Sequence, residues 1–142
     1  MERVYTTPLL DKLGIRQGMR VAIIGTLEDD GETFDDDGPF QARLGQRTSD
    51  VAHGEARSDS DVVLLAADTT AELAALGALR GRIRPAGAIW VVSRKGKAAT
   101  LRDIEVIAAA RTHGLVDNKV VSFSSRRTAL RLVIPVALRP TT

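Results

Sequence analysis

Seven carboxylates crowd between residues 28 and 37 of this chain, at Glu28, Asp29, Asp30, Glu32, Asp35, Asp36 and Asp37. Oxygen ligands at that density are what a hard divalent cation requires. The spacing fails the best-defined loop of that kind. An EF-hand aligned with its central glycine on Gly38 has Thr33 as first ligand and Leu44 as last, and aligned on Gly31 it has Thr26 and Asp37. The run is therefore read as a flexible, solvated loop over about residues 27–39, its like charges repelling, with no metal assigned.

A second group carries the opposite charge. In SRKGKAAT, Arg94, Lys95 and Lys97 precede Thr100, which is expected to open a helix, and cations beside a helix N-terminus attract anions such as phosphate. The order GKA lacks the glycine, lysine and hydroxyl of a Walker loop. The plainer reading is that these cations stay solvated or neutralise the acidic loop. Asp68, at the end of an apolar run, stands where α/β enzymes place catalytic groups and is the candidate catalytic residue, though it serves equally as a helix cap. His53 and His113 show no metal-ligand spacing and no nucleophile elbow. His113, next to Gly114, suits a helix C-terminus.

Positioning these groups falls to alternating strands and helices. Thr7 and Pro8 read as the cap and first position of a short helix that stops near Gly14. RVAIIG (Arg20 to Gly25) and DVVLLAAD (Asp61 to Asp68) are apolar without alternation, as strands buried on both faces are. Between them, Pro39 to Gln46 suggests a helix and Asp50 to His53 a weak strand. Thr69 and Glu72 have capping-box spacing before a helix with Leu73, Leu76, Leu79 and Ile83 on its inner face, ended by Gly81 and Pro85. GAIWVVS (Gly87 to Ser93) is a strand, with Trp90 in the core. Thr100 and Asp103 then open a helix whose inner face is read as Ile104, Ile107 and Ala108. Asn118 to Phe123 and Ala129 to Val136, separated by SSRRT, form an antiparallel hairpin. The pattern predicts an α/β three-layer, Rossmann-like sandwich, mostly parallel and ending in an antiparallel pair, as a single domain over residues 1–142.

Composition narrows the function classes. With no cysteine there is no disulfide, thiolate metal site or cysteine nucleophile, which fits a reducing cytoplasm. No apolar run reaches membrane-spanning length, and MERVYTTPLLDKLG, charged at Glu2, Arg3, Asp11 and Lys12, has no signal-like apolar core. A net charge of +2 with 4% aromatics supplies neither the basic surface nor the stacking platform of a nucleic-acid binder. Sixteen arginines against four lysines suit a GC-rich bacterial coding sequence.

RIRPAGAIWVVSRKGK (Arg82 to Lys97) resembles the late turn and strand of class I S-adenosylmethionine-dependent methyltransferases, whose fold also ends in an antiparallel hairpin. PLLDKLGIRQGMRVAIIG, DVVLLAAD, HGLVDNKVVSF and ALRLVIP resemble, over nearly the whole chain, a family of small bacterial proteins known only as a domain of unknown function. The methyltransferase resemblance implies a crevice for the adenosyl cofactor lined by Gly25, Thr26, Asp68 and Ser93. The chain departs from it in two ways. Gly25 is followed by Thr26, Leu27 and Glu28 instead of a glycine-spaced cradle, and one βα unit, where the family has two, lies between Gly25 and Asp61, leaving only Asp50 or Glu55 as a ribose-binding acid.

Two readings follow. One is a non-catalytic methyltransferase-like module with no cofactor, which binds a small anionic ligand or a protein partner as a regulatory or accessory protein. The other is a minimal methyltransferase, or another nucleotide-binding enzyme, that uses S-adenosylmethionine. A crevice filled by Leu27 and Phe34 favours the first.

Overall fold

The computed structural model describes residues 7–35 and 38–139. Glu2 and Arg3, and the last two acids of the run, Asp36 and Asp37, lie outside the described residues. Six strands form one sheet: β1 (Val21–Ile24), β2 (Val51–His53), β3 (Ser60–Ala66), β4 (Ile83–Arg94), β5 (Val116–Ser122) and β6 (Arg127–Val133). Their order is β2-β1-β3-β4-β6-β5. The β2–β1, β1–β3 and β3–β4 pairs are parallel, and β4–β6 and β5–β6 are antiparallel. The predicted mixed sheet and terminal hairpin are both present.

The central strands are apolar throughout because both faces are covered. In β3, Val62 and Leu64 join a core with α1 (Leu9–Lys12) and α2 (Phe40–Arg47), while Val63 and Leu65 join a second core with α3 (Leu76–Arg80) and α4 (Asp103–Thr112). Trp90 on β4 is fully buried, and its indole N–H donates to the Leu13 carbonyl at 3.0 Å, tying the end of α1 to the sheet. Among the described residues, α2 and β2 are the only elements between β1 and β3. The shortening read from the sequence is therefore present in the fold. Among the described residues no helix is long and apolar enough to cross a membrane.

Several boundaries differ from expectation. α1 begins at Leu9, with Pro8 in the cap position and no side-chain cap from Thr7. After β3 the chain makes a 3-10 turn, Glu72–Ala75, before α3. The Glu72 N–H donates to Thr69 Oγ1 at 3.2 Å, but the Glu72 carboxylate accepts from the Asp68 N–H at 3.0 Å. Ile83 is not on this helix. It starts β4, which runs to Arg94 and shifts register against β3 between Ser60 and Val62. Gly87 sits at that irregularity, where a Cβ would come within 3.0 Å of the Ser60 and Asp61 carbonyl oxygens.

α4 also differs in phase. Its buried residues are Val106 and Ala110, whereas Ile104 is 66% exposed and Ala108 faces solvent. Leu101 reaches the core before the helix starts, and Arg102 takes the cap position with Glu105 accepting the Arg102 N–H at 3.0 Å. The helix is thereby turned so that Val106 and Ala110 face the core and, of the predicted inner residues, only Ile107 packs against it. Thr100 lies outside α4 and its hydroxyl donates to the Asp68 carbonyl at 2.6 Å.

Candidate functional site

Strand order reverses at β1, with β2 on one side and β3 on the other. Open α/β sheets bind ligands beyond the carboxyl ends of the strands at such a point. Gly25 follows β1 there with φ of +89°, and a Cβ would stand 3.0 Å from the Ala66 Cβ. Both the left-handed backbone and the close approach to β3 demand glycine. Thr26 next to it is exposed. Asp68 Oδ1 accepts the Arg94 N–H at 2.8 Å, and Oδ2 lies 3.6 Å from Arg94 Nε. Ser93 is buried in β4, in register with Thr128.

The acidic loop is what occupies this edge. Leu27 is 1% exposed and packs into the core with Phe40 and Phe123. Phe34 is half-buried, its ring 5.7 Å from Phe123 in an edge-on arrangement and 6.4 Å from Phe40. The Glu28 carboxylate accepts the Phe40 N–H at the start of α2. Thr33 and Ser125 exchange two bonds: the Ser125 N–H donates to the Thr33 carbonyl at 2.9 Å and the Thr33 N–H to Ser125 Oγ at 3.0 Å. Asp35 pairs with Lys12. From β1 the loop thus crosses the ends of β3 and β4 to the β5–β6 turn.

Its deepest contact is an ion-pair cluster. The Arg127 side chain is 2% exposed and donates through Nε to Glu32 Oε1 at 2.7 Å and through Nη2 to Asp29 Oδ2. The Glu32 side chain is 1% exposed. Asp29 Oδ2 also accepts from Arg94 Nη2 at 2.9 Å, so one carboxylate bridges two guanidinium groups. Glu32 Oε2 is buried with no hydrogen-bond partner among the described residues. Burial of such a pair is tolerated only with close geometry, because desolvating each charge costs several kcal/mol. The solvated-loop expectation is corrected at these two acids. Like charges do not simply repel here, because two arginines converge from β4 and β6 to meet them.

Of the cations predicted to bind an anion, Arg94 is held by Asp29 and Asp68, and Lys95 donates to Ser122 Oγ at 2.7 Å. Lys97 lies exposed in a 3-10 turn, Gly96–Ala98, well before α4. The four residues do not gather around a helix N-terminus. Among the described residues no three His, Asp or Glu side chains converge as a metal site would need. His53 Nε2 lies 3.3 Å from Gln41 Oε1, and His113 occupies the C-cap of α4. At this edge a cavity of about 470 Å³ is lined by the loop's own residues, Glu28 to Phe34 with Gly38 and Pro39. Gly25, Asp68 and Ser93 are not on its wall.

Arg127 lies within SSRRT, which reads from the sequence as a hairpin loop, and nothing in that reading marks it as a site residue. A signal was present. Residues 127, 129, 131 and 133 share one face of β6, the face whose Ala129 lies in the α1/α2 core, so an arginine at 127 must find a buried partner.

Several solved structures of similar fold are methyltransferases. A SAM-dependent methyltransferase from Aquifex aeolicus superposes with TM-score 0.60 at 11% identity, covering 89% of this chain and 88% of that one. Magnesium protoporphyrin IX methyltransferase from Synechocystis PCC 6803, solved with bound SAM, gives TM-score 0.60 at 11% identity over 89% of this chain and 74% of that one. Mitomycin 7-O-methyltransferase gives 0.58 at 11% identity over 86% of this chain, and the chain spans half its length. No family model and no curated protein matches the chain. At these identities the likeness shows the fold: a Rossmann-like, methyltransferase-like α/β sandwich.

Proposed function

We propose that this chain is a single-domain, non-catalytic relative of the methyltransferase fold, a regulatory or accessory module related to the uncharacterised bacterial family it resembles. The observation that carries this reading is the Arg127–Glu32–Asp29–Arg94 cluster, with Leu27 and Phe34, lying across the carboxyl ends of β1, β3 and β4. In this account the loop takes the place of an adenosyl ligand. Its carboxylates use the guanidinium groups that face the crevice, and its apolar side chains fill the volume a nucleoside would need.

The second reading, a minimal methyltransferase, draws support from the shared fold and from Asp68 at the end of β3. A thermal-shift comparison separates the two. A ligand present at 100 times its dissociation constant adds about 2.7 kcal/mol to stability. The non-catalytic reading expects no shift with S-adenosylmethionine or S-adenosylhomocysteine at millimolar concentration, and a dose-dependent rise with both supports the enzyme.

A further inference from the structure

The same face of β6 carries two arginines, and the protein treats them differently. Arg127 has Glu32 and Asp29. Arg131, four residues on and also drawn partly into the protein, has no carboxylate within ion-pair distance among the described residues. Burial holds its guanidinium below its ordinary pKa, and the charge of Arg139 pushes the same way. Its neighbour across the β5–β6 ladder is Lys119, and like charges directly opposite each other repel. The Lys119 ammonium turns to the Lys12 carbonyl at 3.3 Å. Nothing among the described residues neutralises Arg131.

What Arg131 faces is a cavity of about 310 Å³ at the amino ends of β3 and β4, the edge opposite the acidic loop, with Arg16 and Arg84 also on its wall. Among the described residues Asp61 is the only carboxylate lining it, and both its oxygens are engaged: Oδ1 accepts from Arg84 Nη1 and Oδ2 from the Arg20 N–H, each at 2.9 Å. The Arg16 side chain has no acceptor among the described residues. Three guanidinium groups against one satisfied carboxylate leave a surplus of two positive charges. The remaining wall is apolar side chain and backbone, including Leu13, Met19 and Gly87.

We propose that this cavity binds a small phosphate monoester, its dianion held by Arg131 and Arg16 and its organic group lying against Leu13 and Met19. Guanidinium forks match phosphate oxygens two at a time, and the side-chain donors of Arg131 and Arg16 have no acceptor among the described residues. The site lies at the opposite edge of the sheet from the crevice and does not rest on how the crevice is read.

The test is calorimetric titration of the full chain with phenyl phosphate at fixed ionic strength, with sodium chloride as the screening control. Saturable binding is expected. Arg131→Met, which keeps the apolar stem, and Arg16→Gln should each raise the dissociation constant at least tenfold, while Arg111→Gln on α4 removes the same charge and leaves it unchanged. Arg16 is exposed, so its variant decides the matter should Arg131→Met fail to fold. Absence of saturable heat in the parent overturns the proposal, as does equal loss in all three variants, which would mean that net charge alone attracts the ligand.

Discussion

Arg127 and Glu32 show how one buried pair reorganises a loop. An isolated charge at either position would be expelled, yet together they sit 2.7 Å apart with side chains almost wholly enclosed. Removing one partner strands the other, which in buried pairs costs about 3–5 kcal/mol. Arg127→Met should therefore destabilise the protein by that amount in urea denaturation, and adding Glu32→Gln should recover part of the loss. The recovery is the coupling that a double-mutant cycle measures. Equal loss in the single and double variants would mean that the Arg127 stem matters and its charge does not. Glu32 was legible in sequence only as one of seven acids. Composition shows that acids cluster but not which one turns inward, because the selecting group is an arginine 95 residues away.

At the scale of elements, the strands were the legible part. RVAIIG and DVVLLAAD read as doubly buried and are so, since a run without polar alternation has few other stable placements. Helix phase was harder. α4 has alanine at three consecutive positions of its ten, so its pattern scarcely distinguishes its faces, and the rotation is set by Leu101 and the Arg102 cap outside the helix. Val106→Ala, which removes two buried methyl groups at about 0.8 kcal/mol each plus the cavity they leave, should cost about 1.5–3 kcal/mol. Ile104→Glu should stay within about 0.5 kcal/mol of the parent. Reversal of that order in chemical denaturation would restore the phase read from the sequence. Gly25→Ala carries a different expectation. A left-handed backbone at a non-glycine residue costs about 1–2 kcal/mol, and the contact with Ala66 adds to it. A loss of midpoint stability should be measurable, and an unchanged midpoint would show that the β1–β3 approach relaxes freely.

For the whole molecule, the fold and the shortening before β3 followed from strand and helix order, while the crevice did not. Its occupant is decided by contacts between residues 27–35 and residues 94, 123, 125 and 127, which sequence separation hides. The central claim is that this loop stands where the fold's nucleoside would. Isothermal titration calorimetry of the full chain with S-adenosylmethionine tests it most directly. The account predicts no saturable heat up to millimolar ligand. A micromolar dissociation constant, with the adenine located beside Asp68, would contradict it and return the protein to the enzymes whose fold it shares.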